Sequence, residues 1–136
     1  MKTFIKHSCI IFSLIIFLLS FSAYLRPKLL NYADDVIIYT GNNSSTAVIK
    51  RVDKRYFSFE KIFGESCTLN LSVQEIFDKF DVKVLFSEVA ENVTCYYGYS
   101  KIFPYKKEIY GKTINVHVAV EGDRITFGTP IIYGSF

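Results

Sequence analysis

The chain predicts an α+β protein, with a small antiparallel sheet carrying one or two helices on one face behind an N-terminal transmembrane or signal helix. Three observations support this. Residues Cys9 to Phe21 form a run free of charge, amide and proline. Apolar residues then recur with a period of two along most of the remaining chain, and one capped amphipathic segment, Ser72 to Phe80, interrupts them. The domain plan is a signal anchor over residues 1–25, a juxtamembrane helix or linker over 26–35, and an extracytoplasmic α+β domain over 36–136.

The N-terminal segment is an export or anchoring signal, which places the rest of the chain outside the cytoplasm. From Cys9 to Leu25 it offers seventeen residues with only isolated serines, the short end of the ~17–25 that a spanning helix needs. Ser20 and Ser22 supply the small residues of a cleavage site, so secretion after cleavage is the alternative. Tyr24, Arg26 and Lys28 resemble an interfacial belt and favour a retained single pass through residues 9–25. Lys2 and Lys6 lean the N-terminus inward. A buried helix of a soluble body would need a polar face, which this segment lacks.

Beyond the anchor, Pro27 followed by Leu29, Leu30, Tyr32 and Ala33 predicts a helix near the membrane surface. Val36 to Thr40 and Thr46 to Val52 are β-branched runs joined by a Gly41 to Ser45 loop, which reads as a hairpin. Tyr56 to Phe63 fits no single period, and a strand ending in a turn at Gly64 is expected. The helix from Ser72 has the clearest local signal. Ser72 and Glu75 form a capping box, Leu71 can staple onto Ile76, and Val73, Ile76, Phe77 and Phe80 share one face. Val82 to Ser87 then alternates, Glu91 and Asn92 turn, and Thr94 to Ser100 returns as a strand. Thr113 to Glu121 and Arg124 to Phe127 flank Gly122-Asp123, a primed two-residue turn. It sets Glu121 opposite Arg124, Val120 opposite Ile125, Ala119 opposite Thr126 and Val118 opposite Phe127. Pro130 limits further pairing, so Ile131 to Phe136 reads as an edge strand.

Composition narrows the function classes. Without residues 1–25, which hold two lysines and no acids, the chain carries 14 basic and 13 acidic side chains, a net of +1 and no polyanion binder. No catalytic constellation is legible. His117, the only histidine past residue 25, lies on the strand face opposite Val116 and Val118 and reads as a surface residue. It has no companion at a metal-site spacing. Gly64-Glu65-Ser66-Cys67 lacks the second glycine of a nucleophile elbow. Asp34 and Asp35 read as solvated turn residues. No cofactor, metal or enzymatic activity is expected.

Cys67 and Cys95 both fall on predicted strands, either as a disulfide worth roughly 3–4 kcal/mol or as two buried thiols. Cys9 lies in the apolar segment. The aromatic and lysine segment of residues 96–110 offers Tyr99, Tyr105 and Lys106 as a surface for wall polymer or a lipid headgroup layer. Core packing of its rings is the plainer reading. Sequons at Asn42, Asn43, Asn70 and Asn92 would matter only in a eukaryotic secretory pathway.

Gly111-Lys112-Thr113-Ile114-Asn115-Val116-His117-Val118-Ala119-Val120, with Arg124-Ile125-Thr126-Phe127-Gly128-Thr129-Pro130-Ile131-Ile132, resembles the C-terminal half of the YwmB family. These are exported or membrane-anchored Firmicute proteins described as TATA-box-binding-protein-like. The resemblance covers residues 67–136 and implies a curved antiparallel sheet with helices on one face. It brings no catalytic residues, and fold likeness does not transmit nucleic-acid binding. The expected function is a membrane-anchored, non-catalytic interaction module for an envelope protein. The alternative is a wall-polymer or lipid-surface binder built on residues 96–110.

Overall fold

The computed structural model describes residues 2–41, 48–58 and 60–134, and on the N-terminal helix the side chains of residues 7–21. That helix, α1 (Lys2–Leu25), leads into a 3-10 turn at Lys28–Asn31. The body is one seven-stranded antiparallel sheet in the order β2-β1-β3-β9-β8-β5-β4. Its strands are β1 (Asp35–Thr40), β2 (Val48–Asp53), β3 (Gly64–Thr68), β4 (Lys83–Ala90), β5 (Val93–Tyr99), β8 (Val116–Glu121) and β9 (Arg124–Thr129). β6 (Lys107–Ile109) and β7 (Lys112–Ile114) form a separate two-stranded ribbon, and α2 (Val73–Lys79) links β3 to β4. The fold class is thus α+β, with a larger sheet than expected. Among the described residues no helix is long and apolar enough to cross a membrane; the side chains described on α1 run only from His7 to Phe21.

One sheet face holds the core. α2 starts where its cap directs: the Ser72 hydroxyl accepts from the Glu75 N–H at 3.3 Å, and the Glu75 carboxylate accepts from the Ser72 N–H at 2.7 Å. Ile76 and Phe80 are fully buried, and Phe77 meets Tyr96 edge-on. Phe80, Phe103 and Phe127 pack in a mutual cluster with centroids 4.9–5.5 Å apart. At ~1.5–3 kcal/mol per fully buried side chain, this cluster dominates the holding of α2 on the sheet. Leu29 and Leu30 of the 3-10 turn also join the core. The helix expected near the membrane surface is therefore a short turn packed into the body.

The terminal hairpin has the expected register, Glu121 to Arg124 through Val118 to Phe127. Gly122 takes φ +57° at the first central position, a conformation glycine adopts without a Cβ penalty. β1 and β2 pair antiparallel as read, although residues 42–45 of the expected loop and 46–47 of the expected second strand lie outside the described residues. Three expectations need correction. The described residues between Tyr56 and Phe63 form no strand, because the Ser58 hydroxyl takes the Glu60 N–H and Lys50 pairs with Glu60, drawing the chain into a bent loop. The expected strand from Thr113 to Glu121 is divided at Asn115. Its buried carboxamide bonds Ser100 N at 2.7 Å, Ser100 O at 2.5 Å and Phe103 O at 2.8 Å, pinning the turn after β5.

The tail is the third correction. Its described residues, 131–134, form no edge strand but cross the second face of the sheet, over Gly128, and residues 135–136 of the expected strand lie outside the described residues. A Cβ on Gly128 would lie 2.6 Å from Ile132 Cγ1, so only glycine leaves room for the crossing. The Ile132 N–H donates to His117 Nδ1 at 3.2 Å, and the Tyr39 hydroxyl donates to the Tyr133 carbonyl at 2.7 Å. His117, expected at the surface, is consequently only 4% exposed.

Candidate functional site

Strand pairing sets residues of alternate parity in rows across the second face. One row runs Arg51, Ile37, Ser66, Gly128, His117, Tyr97 and Phe86, from β2 to β4. The tail divides this row. On the β4 side, Phe86, Tyr97 and His117 stack with centroids 4.6 and 4.5 Å apart, each pair tilted by 15°. On the β2 side the face stays open as a groove of about 570 Å³, bounded by Ile132, Tyr133 and Gly134.

The groove has a polar floor and an aromatic wall. Tyr39 and Ser66 share a hydrogen bond of 3.0 Å, and the Tyr39 and Tyr133 rings sit 4.5 Å apart. Burial, with Tyr39 beside it, raises the Tyr133 phenol above its ordinary range, so that phenol stays a protonated donor at neutral pH. Arg51 and Arg124 line the groove, and among the described residues neither joins an ion pair. Asp34, also at the rim, is engaged with Lys54 at 2.6 Å; that bond lowers its carboxyl below the usual range. Ile37 and Ile49 supply apolar contact. Such a site can take an extended segment with apolar side chains and carbonyl or carboxylate oxygens.

Burial is the leading cause of the shifts at five further groups, Glu65, Cys67, Cys95, Tyr97 and His117. Burial pushes the Cys67 thiol up to about 12, with Glu65 adding to it, and burial raises Cys95 as well, so neither is a thiolate at neutral pH. Burial, then the neighbouring Cys95 and Glu88, raise Tyr97 to about 12, while burial lowers His117 to about 4. Glu65 is a structural carboxylate. Fully buried, it accepts from the backbone N–H groups of Lys28 at 2.9 Å and Leu29 at 2.7 Å and from the Tyr105 hydroxyl at 3.3 Å, capping the 3-10 turn. Burial still holds its pKa above the ordinary carboxylate value against those bonds. Among the described residues no group of three or more His, Cys, Asp or Glu could hold a metal.

The residues singled out from the sequence do not converge. Cys67 and Cys95 are free and buried, on opposite faces of the sheet, with β9 and β8 between their strands. At ~4.8 Å per strand they stand too far apart for the bridge held open as one alternative. Of the segment read as a surface, Tyr105 turns inward onto Glu65, and Lys106 sets its ammonium 5.7 Å from the Tyr99 ring centroid. Tyr110, at the turn of the β6–β7 ribbon, is the exposed ring there. Sequence reasoning missed Arg51, Tyr39 and Tyr133. Alternation along β1 and β2 would have put Arg51 and Tyr39 on a common face, but nothing local announces a tail that makes that face a groove.

Comparison with family models, with curated proteins and with solved structures finds no match to this chain.

Proposed function

We propose that this chain is a membrane-anchored, non-catalytic interaction module of the cell envelope. It takes an extended segment of another envelope protein along the outer edge of β2, with alternate side chains of that segment in the groove. The observation that carries this reading is the position of the groove. It opens against the terminal strand, so Ile49 and Arg51 of β2 and the Tyr39–Tyr133 pair line a single site. A terminal strand offers backbone N–H and C=O groups to an incoming strand, and an adjoining groove selects its side chains.

Two features of α1 support the anchor. Its 24 residues span ~36 Å at ~1.5 Å each, against a hydrocarbon core of ~30 Å. Ten large apolar side chains between Ile10 and Phe21 stand 47–66% exposed around the helix, an arrangement that suits lipid and is costly in water. The sheet with α2 on one face is in keeping with the YwmB-like, TATA-box-binding-protein-like shape implied by the terminal motif.

The test is site-specific photocrosslinking in native membranes. A photoreactive residue at Ile49 should give a discrete adduct with one protein, and one at Val89 on the far edge should not. The adduct should vanish in an Arg51→Glu, Tyr133→Ala double variant. No adduct at Ile49, or equal adducts at both edges, would refute the docking mode.

A further inference from the structure

We propose that a cleft at the exit of α1 binds the phosphate-bearing headgroup of an anionic phospholipid. The cleft, about 670 Å³, is lined by Arg26, Lys28, Lys54 and Arg55 together with Tyr32 and Phe57, and no carboxylate lines it. The four cations come from two stretches that Arg26 ties together by donating from its guanidinium to the Lys54 carbonyl. Lys54 and Arg55 are paired with Asp34 and Asp53, whose side chains lie outside the lining. Lys28 donates its ammonium to the Ile102 carbonyl at 3.0 Å, a neutral partner like that of Arg26, and the carboxylate its charge acts on, Glu65, lies outside the lining. The cleft therefore presents net positive charge toward its opening.

Its position selects the ligand. α1 ends at Leu25 and Arg26 is the next residue. At up to ~3.8 Å per residue, Arg26 and Lys28 lie within about 4 to 11 Å of the helix end. A bilayer's headgroup layer extends roughly 5–8 Å beyond each side of the hydrocarbon core. With α1 embedded as proposed above, on which this inference rests, the cations fall at phosphate depth. Phe57, 61% exposed in the same cleft, has the chemistry to rest against the acyl boundary. Basic side chains beside an exposed ring are what an anionic lipid surface recognises.

The chain has no tryptophan, so Phe57→Trp gives a single indole in the cleft. The full-length variant is reconstituted into phosphatidylcholine vesicles containing dansyl-labelled phosphatidylglycerol or, at equal mole fraction, dansyl-labelled phosphatidylcholine. Energy transfer should be greater to phosphatidylglycerol. The mole fraction giving half-maximal transfer should rise ~5-fold for each of Lys28→Gln and Lys54→Gln, and ~25-fold for both. Lys28→Arg should leave it unchanged. Equal transfer to both lipids by a chain that floats with the vesicles overturns the headgroup site. Failure to float with either vesicle overturns the anchor itself. Indole emission in detergent that shifts as far with inorganic phosphate as with phosphatidylglycerol would assign the cleft to a free anion and overturn the lipid.

Discussion

Acid should loosen this protein through one imidazole. His117 is buried, its ring lies flat on Tyr97, and Nδ1 accepts the Ile132 N–H. That bond requires the neutral ring, because a protonated Nδ1 would be a donor facing a donor. Burial holds the pKa at about 4, while the unfolded chain keeps the ordinary 6.5. Between those values the unfolded state binds more protons, so the stabilisation is fully present above about 6.5 and is lost as pH falls through the folded value near 4. At ~1.36 kcal/mol per tenfold in proton affinity, the loss is about 3 kcal/mol. Glu65 works in the opposite sense. Its raised pKa gives a contribution that is complete below the ordinary carboxylate range and lost as pH rises through the folded value. The informative quantity is thus the difference between the wild type and His117→Phe, which keeps the stacked ring and removes the titration. Urea unfolding of the full chain in detergent micelles, followed by circular dichroism at pH 7, 6, 5 and 4, should give curves that converge by about 3 kcal/mol toward acid. Parallel curves across that range would refute the assignment.

Three further outcomes follow from packing. Gly128→Val should lift the tail, since its Cβ would meet Ile132 Cγ1 at 2.6 Å and Ile132 N at 3.0 Å; an NMR titration should then find the His117 pKa moved up toward 6.5. Asn115→Ala strips partners from Ser100 N, Ser100 O and Phe103 O. At ~1–3 kcal/mol for each buried group left unpaired, it should cost at least ~3 kcal/mol in chemical unfolding, with the Ser100 amide losing hydrogen-exchange protection. Cys67 and Cys95 should both resist alkylation in the folded chain and both react in denaturant, with or without reductant; a reductant-dependent mass shift between them would contradict the strand order.

Much of the architecture was legible locally. The capping box of Ser72 and Glu75 and the face of Val73, Ile76, Phe77 and Phe80 are contained within nine residues, so α2 could be placed with its core side. The β8–β9 hairpin was readable to the residue because a two-residue turn leaves one register that matches apolar to apolar. Readings failed where a partner distant in sequence decided the outcome. Asn115 has strand character on its own, and its carboxamide divides the strand only because Ser100 and Phe103 come within reach. The aromatic segment left core packing, the plainer reading, and a binding surface both open, and for Tyr105 the choice falls to Glu65, forty residues earlier in the chain.

By itself the sequence determined an apolar leader, the cap of α2 and its buried Ile76 and Phe80, the turn at Gly122 and the register of the β8–β9 pair. These follow from periodicity and turn chemistry, which act over a few bonds. Only the tertiary structure decided that residues 131–134 cross the second face, burying His117 and walling the groove beside β2. It likewise brought Arg26 and Lys28 against Lys54 and Arg55. Both outcomes depend on contacts between segments distant in sequence, whose free energy comes from surfaces that exist only once the sheet has formed.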